Sequence, residues 1–258
     1  MVPASLVDMI ALAHPSWHAT LLTGLEAIDQ ASPTYLAALV QDDYLPDGGR
    51  MFAAFTQPLD VVRYVLVGEG PYPRAGSATG VCFMDGAVGS LWSDKGLSKQ
   101  VNRATSLRNF MKMLLVADGR IDVAKTSGDA LESVSAQMRA APETFVQTLP
   151  ELQDKLTAQG FLLLNATLVF RSTMAPAKDA KAWLPFLQVV LAALIEHAER
   201  SQQAPPTLVL WGKIAVQLEA VPANQSFPKQ IAEHPYNLSF IANPAMQALF
   251  APMHLLKK

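Results

Sequence analysis

The chain has 258 residues, which is enough for one large domain or two small ones with a sizeable buried core. Half of the residues are hydrophobic and only 16% are charged, against about 25% in an average globular protein, which excludes an intrinsically disordered chain. The 20 basic and 22 acidic residues give a net charge of −2, so any polyanion must bind through a local patch or through backbone amides rather than through overall charge.

The single cysteine, Cys82, excludes an intramolecular disulfide, an all-cysteine zinc site and a four-cysteine iron–sulfur cluster. A reducing cytoplasm is therefore the expected compartment. The first residues include Asp8 and no early lysine or arginine, which argues against a secretory signal. The longest apolar stretch, residues 183–195, contains Pro185 and Gln188 and is too short to span a bilayer, so we expect a soluble protein without membrane association.

The first half of the chain predicts helices on either side of a strand and a glycine-rich loop. Pro15 and Pro33 should break the N-terminal helices, whereas an apolar, β-branched run that ends at Gly68 is typical of a buried strand. In chain order we predict an N-terminal helical extension over residues 1–44, a strand over 60–67, a loop over 68–89, a helix over 105–116 and a polar surface excursion over 118–142.

The second half alternates short apolar runs with one long helical pattern. Apolar side chains recur at helical spacing from Trp183 to Arg200, with Pro185 in the first turn, where its missing N–H costs little. The remaining runs predict strands over residues 161–165, 207–211 and 230–233. Short apolar strands separated by helices predict an α/β fold, formed as a single domain over residues 1–258 around a four-stranded parallel sheet flanked by helices.

Polar or backbone-permissive residues follow each of the four predicted strands. They are the run from Gly68 to Pro73, then Asn165, then Gly212-Lys213, and finally the run from His234 to Ser239. Ligands of parallel sheets bind at the carboxyl ends of the strands. An asparagine amide can both donate and accept toward an imide edge, and a histidine can donate to a carbonyl that gains negative charge. The set predicts recognition of a planar, hydrogen-bonding molecule.

Taken singly, each of these residues also has a purely structural interpretation. Asn165 could cap a turn, His234 could be a satisfied loop histidine, and Glu69 could be a solvated charge. Tyr72 could simply pack its loop, and Phe83 beside Cys82 could belong to the core. Only their occurrence at successive strand ends favours a functional site.

Familiar cofactor and metal motifs are absent. The run Gly68-Glu69-Gly70 lacks the third glycine of a dinucleotide-binding loop, and Gly212-Lys213 lacks the serine or threonine of a phosphate-binding loop. His14 and His18 have helical spacing but lack the glutamate of a zinc-protease motif. We therefore expect neither a metal nor an organic cofactor.

Five segments in order carry a family resemblance. They read VVRYVLVGEGPYP, GSATGVCF, FLLLNATLVFR, LVLWGKIAVQ and EHPYNLS. This series resembles the uracil-DNA glycosylase family, in the branch of common bacterial, viral and mitochondrial repair enzymes. The resemblance begins near residues 44–46 and continues to the C-terminus. It implies a four-stranded parallel sheet between helices, and DNA containing uracil as the partner.

The resemblance implies roles for the residues that would hold the base. Tyr72 matches the tyrosine that blocks the methyl group of thymine, Phe83 the phenylalanine that stacks on the flipped uracil, and Asn165 the amide that reads the uracil edge. Gly68 and Gly70 belong to the same base-binding segment. His234 matches the histidine that stabilises negative charge on uracil O2 as the glycosidic bond breaks.

The resemblance also implies contacts with DNA. Ser106 matches a serine that touches a phosphate, and Lys213 matches another position that contacts the backbone. Leu238 matches the leucine that enters the base stack. Tyr236 and Asn237 stand where the family has Ser-Pro, and Ser239 closes this DNA-binding loop.

The first motif departs from the family pattern at the residue that activates water. Glu69 stands in place of a glutamine, Gly70 in place of the catalytic aspartate, and Pro73 in place of a histidine. Glu69 is the nearest group that could position or activate water instead. The GEGP run is similar to the GEAPG motif of another branch, in which a glutamate occupies this place but four cysteines hold an iron–sulfur cluster.

The leading hypothesis is a monomeric DNA-repair glycosylase that hydrolyses the N-glycosidic bond of uracil with altered or weak catalysis. Single-stranded or mismatched DNA would be its preferred substrate, because extrusion of the base costs least there. A second hypothesis is a catalytically silent homologue that binds DNA or a base without cleavage. A third is a glycosylase for another damaged base, since Gly70 and Pro73 could make room for a modified pyrimidine.

Overall fold

The structure, a computed structural model, describes residues 1–258 and contains ten α-helices and six β-strands. The helices are α1 (Ala4–Ile10), α2 (His18–Ala31), α3 (Tyr35–Leu39), α4 (Lys99–Arg103), α5 (Thr105–Ala117), α6 (Asp129–Ala140), α7 (Leu149–Ala158), α8 (Pro176–Arg200), α9 (Ile214–Gln217) and α10 (Pro244–Phe250). The strands are β1 (Tyr64–Gly68), β2 (Trp92–Ser93), β3 (Gly96–Leu97), β4 (Phe161–Asn165), β5 (Thr207–Trp211) and β6 (Lys229–Ala232).

Four strands form a parallel sheet in the order β4-β1-β5-β6. β1 pairs in parallel with both β4 and β5. The N–H groups of Leu208 and Gly212 donate to the carbonyls of Pro228 and Ala232, and this constant offset shows that β6 runs parallel to β5. The predicted α/β fold with a four-stranded parallel sheet is therefore confirmed.

The strands follow the sequence pattern closely where the apolar run is continuous. β4 and β5 have the predicted bounds, and every residue of β4 is buried, as expected for a strand covered on both faces. β1 begins at Tyr64 rather than at residue 60, because Leu59–Val61 forms a 3-10 turn. β6 begins and ends one residue earlier than predicted. The two-stranded sheet of β2 and β3 was not predicted.

The residues pack into two compact units. The first unit comprises residues 1–85, 160–210 and 214–229, and the second comprises residues 86–159, 211–213 and 230–258. The domain limits expected from the sequence remain a prediction.

The core of the first unit is built on contacts between aromatic side chains and two long helices. Phe186 of α8 stacks with Phe52 and meets Phe55 and Trp183 edge to face. A Cβ at Gly24 of α2 would lie 2.5 Å from the Phe186 ring, so only glycine lets α2 approach α8 this closely.

The N-terminal residues take part in this core. Helices α1, α2 and α3 are separated at Pro15 and Pro33, as the sequence predicts. Leu6, Trp17 and Leu21 are completely buried in the first unit. The helices of residues 1–44 are thus an integral layer of the first unit.

Helix α8 is longer than the sequence predicts. It begins at Pro176 rather than Trp183, so Pro185 lies inside the helix and not in its first turn. The early turns were missed because they carry mostly alanine and charged residues without an apolar repeat. By length and composition alone α8 could cross a membrane, a test that buried core helices also pass. Several of its apolar side chains, including Leu187 and Leu191, are buried in the core of the first unit, whereas Leu184 is exposed.

The second unit has an aromatic core of its own. Trp211, at the end of β5, contacts the rings of Phe110 in α5, Phe240 and Phe250. Its indole N–H donates to the sulfur of Met246 in α10. These contacts fasten the end of β5 to two helices of the second unit.

The predicted surface excursion over residues 118–142 is only partly correct. It contains helix α6, whose Leu131, Val134 and Met138 are buried. The helix packs against the small sheet of β2 and β3. Its apolar side chains fall at helical spacing, but they are diluted by serine, alanine and charged residues, which concealed the pattern.

A buried ion pair connects the segment after β4 to the start of α8. The guanidinium of Arg171 donates to both carboxylate oxygens of Asp179, and both side chains are almost completely buried. The Tyr35 hydroxyl also donates to Asp179, at 2.6 Å, and accepts from the indole of Trp183 at 3.0 Å. Burial and the hydrogen bond to Asp179 raise the pKa of Tyr35, so its hydroxyl stays protonated.

We expect Asp179→Ala to lower the free energy of unfolding by about 3 kcal/mol, because the buried Arg171 guanidinium then keeps only Asp42 as a counter-charge, at 3.6 Å. Denaturation in urea would measure the loss. The matched control is Asp47→Ala, which removes the exposed ion pair with Arg50 and should cost less than about 1 kcal/mol. Equal losses in the two variants would contradict this account of the network.

Candidate active site

The carboxyl ends of β1 and β4 are held side by side by main-chain hydrogen bonds. Gly68 lies opposite Asn165 in the strand register. Beyond the strands, the N–H of Ala166 donates to the carbonyl of Gly68 at 2.8 Å, and the N–H of Thr167 donates to that of Glu69 at 3.1 Å. The ladder therefore fixes these five residues relative to one another.

The Asn165 side chain is buried without a partner in the protein. It is only 4% exposed, and its amide makes no hydrogen bond within the chain. A Cβ at Gly68 would lie 3.0 Å from the Asn165 Oδ1 and 2.5 Å from the Cys82 Sγ, so glycine is needed for this approach. The amide atoms are not among the fully enclosed side-chain atoms that lack a partner, so a small molecule can reach them. Such a group fits a site in which a ligand supplies the missing hydrogen bonds.

Two aromatic residues lie on the loop after β1. Phe83 has a left-handed backbone (φ 67°), which is rare for a bulky residue and is found mostly at functional sites. The Tyr72 hydroxyl approaches the Phe83 carbonyl at 3.5 Å, and burial raises the pKa of Tyr72, so it is protonated. Both rings are half-buried.

Burial also raises the pKa of the neighbouring Cys82 thiol to about 12, which leaves it unreactive in the core.

Glu69 and Gly70 follow β1 directly. Glu69 is exposed, and its carboxylate makes no hydrogen bond or ion pair within the protein. A Cβ at Gly70 would lie 3.5 Å from the Thr167 carbonyl oxygen and 3.6 Å from its Cβ, which are ordinary contacts. Position 70 could therefore carry a side chain, and no steric constraint demands a glycine.

A cavity of about 570 Å³ opens beside this segment of the first unit. Glu69, Gly70, Pro73 and Thr167 line one side of it. The other sides are mainly apolar and come from the residues after β4 and from helices α8 and α9. No group of three or more histidine, cysteine or acidic side chains in the protein is placed to hold a metal ion.

His234 lies in the second unit, directly after β6. The N–H of Tyr236 donates to the His234 Nδ1 at 3.1 Å, so the neutral ring carries its proton on Nε2. Gly212 has a positive φ of 74°, and a Cβ there would lie 2.9 Å from the Cβ of His234. The close approach of this glycine sets the position of the imidazole.

Two side chains, those of Asn109 and Glu233, anchor the loop that follows His234. Asn109 of α5, which is completely buried, donates to the carbonyl of Pro235 at 2.7 Å, with longer contacts to the next two carbonyls. The Asn243 side chain donates to the Glu233 carboxylate at 2.8 Å, and the nearby Ser239 hydroxyl helps to lower the pKa of that carboxyl. Partial burial raises the pKa of Glu233, but these bonds and its own N–H outweigh it and hold the pKa below its usual value. Both ends of the loop are therefore anchored.

The tip of this loop presents apolar side chains to solvent. Tyr236 and Leu238 are each 68% exposed, and Asn237 between them is exposed as well. Large apolar side chains held outward on an anchored loop are typical of an interaction surface. Ser239 is exposed as well, and it lies close enough to Glu233 to lower the pKa of that carboxyl.

Basic side chains surround the start of α5 in the same unit. Ser106 lies in the first turn of α5 and is half-buried, and Lys213 is exposed. Arg103 precedes the helix, and Arg108 lies one turn into it and donates to the carbonyl of Asn102. These arginines were not predicted as site residues. They supply the local positive patch that the net charge of the chain requires for binding a polyanion.

Each unit thus holds part of the predicted site. Gly68, Glu69, Gly70, Tyr72, Phe83 and Asn165 lie in the first unit; Ser106, Lys213, His234, Tyr236, Asn237, Leu238 and Ser239 lie in the second. Sequence reasoning missed Asn109 and Thr167. An asparagine within the apolar face of α5 was the only available signal for Asn109.

We expect Asn109→Leu to loosen the loop over residues 234–239, because its carbonyls lose their donor. The free energy of unfolding should fall by about 1–3 kcal/mol. Amide hydrogen exchange of residues 236–240 should accelerate. The control is Asn102→Leu, which removes a bond to the Leu97 carbonyl and leaves this loop untouched. Unchanged exchange in the Asn109 variant would show that the loop is held by other contacts.

No protein-family model matches the chain. Curated relatives include the uracil-DNA glycosylase of Mycobacterium avium, which is 24% identical over 229 residues, covering 88% of this chain and 83% of that protein. The uracil-DNA glycosylase of Corynebacterium glutamicum is 28% identical over 208 residues, covering 80% of this chain and 74% of that protein.

Solved structures agree with these relatives. The uracil-DNA glycosylase of mimivirus has a TM-score of 0.53 at 15% identity, covering 90% of this chain and 73% of that one, which shows likeness of fold. The wild-type UNG of Nitratifractor salsuginis has a TM-score of 0.87 and 35% identity, covering 99% of this chain and 96% of that one. With identity at this level over nearly the whole length of both chains, the protein belongs to the uracil-DNA glycosylase superfamily.

Proposed function

We propose that this protein is a DNA glycosylase that releases uracil by hydrolysing the N-glycosidic bond. The observation that carries the proposal is the Asn165 amide, buried without a partner and fixed beside Gly68 by the main-chain ladder. A uracil edge supplies one N–H donor and two carbonyl acceptors, and the amide can meet it with both its oxygen and its NH₂ group. The similarity to uracil-DNA glycosylases of Mycobacterium avium and Corynebacterium glutamicum supports the same substrate.

The two aromatic residues of the first unit complete recognition of the base. The half-buried ring of Phe83, displayed by a left-handed backbone, offers a face on which a flat pyrimidine stacks. Tyr72 is held by its bond to the Phe83 carbonyl and limits the space for a methyl group at the pyrimidine C5. Together they favour uracil over thymine.

His234 acts on the leaving group. As the glycosidic bond breaks, its electron pair moves onto the base and negative charge develops on the carbonyl oxygen O2. A preoriented N–H donor stabilises such charge more in the transition state than in the ground state. The neutral imidazole, with its proton fixed on Nε2 by the bond from the Tyr236 N–H, is that donor.

Glu69 is the group that positions or activates water. The water oxygen forms a bond to the sugar C1′, the bond from C1′ to the base breaks, and a water proton passes to the carboxylate. Because Gly70 contributes no side chain, the developing positive charge on the sugar lacks a carboxylate at that position. We therefore propose weak to moderate activity that depends mainly on stabilisation of the leaving base.

The second unit engages DNA. Tyr236 and Leu238 would enter or cover the base stack, while Ser106, Lys213 and the arginines of α4 and α5 would contact phosphates. With few basic residues to hold a duplex, a monomer of this protein would act best on single-stranded or mismatched DNA, from which extrusion of a base costs least.

A second candidate function is that of a silent reader, which binds uracil-containing DNA without releasing the base. The exposed Glu69 and the missing side chain at Gly70 favour it, since no buried carboxylate faces the substrate from this segment.

Release of free uracil from single-stranded and U·G-containing oligonucleotides separates the two functions. We expect release by the wild type and loss of at least about 100-fold in Asn165→Ala and His234→Ala, because each removes a hydrogen bond made to the reacting base. Asn102→Ala is the matched asparagine control outside the site. Salt-sensitive binding without release, even at high enzyme concentration, would favour the reader.

Gly212→Ala should lower uracil release about 10- to 100-fold with little change in stability beyond its control, because the added Cβ would push His234 from its position. Single-turnover kinetics would measure the effect. Gly119→Ala is the control: φ is also positive (66°) but nothing lies within 4 Å of the added Cβ, so it carries the backbone strain alone. Equal rates in the two variants would argue against the proposed placement of His234.

A further inference from the structure

We propose that Thr167 holds the attacking water together with Glu69, and that its hydroxyl takes over the orienting role that a side chain at position 70 would otherwise fill. This inference rests on the proposed glycosylase function. It names a water-positioning residue that neither the motifs of the sequence nor the relatives point to.

Main-chain bonds place Thr167 beside the segment that carries Glu69. The Thr167 N–H donates to the Glu69 carbonyl at 3.1 Å, in continuation of the ladder between β1 and β4. A Cβ built on Gly70 points at this residue, at 3.6 Å from the Thr167 Cβ. The space that a side chain at position 70 would enter is therefore the space that the Thr167 side chain borders.

The Thr167 hydroxyl has no partner within the protein. The residue is only 5% exposed, and its side chain makes no hydrogen bond within the chain. A buried hydroxyl in this state leaves both its donor and its acceptor capacity for a bound molecule. The fully enclosed side-chain atoms without a partner lie on Gln57, Asp118, Arg120 and Asn224 and do not include this hydroxyl, which is therefore accessible to a water or substrate atom.

The adjoining cavity has space for this water and offers it few other polar partners. Thr167, Glu69 and Gly70 share one side of the 570 Å³ cavity. Arg171 and Asp179 also line it but are occupied by their ion pair. A water in a mainly apolar cavity needs two to four polar partners. The Thr167 carbonyl oxygen lies 3.5 Å from a Cβ built on Gly70, and the Thr167 hydroxyl and Glu69 carboxylate belong to residues that line the same cavity; these are the partners we assign to the water.

Thr167 and Glu69 would have different roles toward the water. Thr167 keeps its proton throughout and orients the water by hydrogen bonding, whereas Glu69 accepts the proton that the water loses when its oxygen bonds to C1′. The electron pair of the broken bond leaves with the base. Orientation of this kind contributes through geometry rather than acid–base strength, so loss of the hydroxyl should lower the rate without moving the pH profile.

The test compares Thr167→Val, which keeps the shape and removes the hydroxyl, with Thr167→Ser, which keeps the hydroxyl. Under single-turnover conditions we expect the valine variant to release uracil about 10- to 100-fold more slowly. Affinity for uracil-containing single-stranded DNA, the thermal midpoint and the pH dependence of release should stay at wild-type values. The serine variant should recover most of the rate. A valine variant within twofold of the wild type, or a serine variant as slow as the valine one, would overturn the proposal.

A second experiment, in the Gly70→Asp variant, distinguishes a water-holding role of Thr167 from a packing role. Gly70→Asp is sterically allowed and restores a carboxylate that can hold the water by itself. In that background we expect Thr167→Val to change the rate less than threefold, so that the two substitutions are strongly non-additive. The same 10- to 100-fold loss in both backgrounds would assign Thr167 a structural role instead.

The outcome for the wild type separates this inference from the function on which it rests. A wild-type protein that binds uracil-containing DNA but releases no uracil would overturn both. A wild type that releases uracil through Asn165 and His234, while Thr167→Val releases it equally fast, would overturn the role of Thr167 alone.

Discussion

The ladder of main-chain hydrogen bonds between β1 and β4 is the constraint on which the site of the first unit depends. It does not stop at the strand ends but continues through Ala166 and Thr167, which bond to Gly68 and Glu69. Loops normally carry functional side chains with some freedom. Here the residues that would read the base and hold the water are fixed by bonds that involve no side chain, so substitutions among them can change the chemistry without moving the backbone.

The glycines around the site differ in whether a Cβ would fit at their position. This difference concerns Gly70 of the first motif. Gly68 and Gly212 have no room for a Cβ, because Cys82 and Asn165 crowd the former and His234 crowds the latter. Gly70 meets only ordinary contacts and has an unremarkable backbone. The absence of a carboxylate at position 70 is therefore not forced by packing. A side chain at this position would alter the chemistry of the site without a clash at its Cβ.

The sequence predicted the elements whose signal is local. β4 and β5 had the right bounds because their apolar runs are continuous. The site residues named from the family motifs stay predictions. Prediction from sequence failed for features that depend on contacts between residues distant in the chain. The early turns of α8 carry no apolar repeat and are fixed by the ion pair of Asp179 with Arg171. Asn109 acts only because the loop after His234 lies above it.

The chain has a net charge of −2, so its binding of DNA, a polyanion, cannot rest on overall charge. This limits the contacts by which the second unit can bind DNA. In the proposed function, phosphate contacts from a few residues near α5 and from Lys213 would give modest, salt-sensitive affinity. Exposed Tyr236 and Leu238 would add contacts of another kind, since base stacking tolerates any sequence. Such contacts need bases that are already unpaired or easily unstacked. An anchored loop with an aromatic tip therefore suits a protein that works on single strands better than one that searches intact duplex by charge.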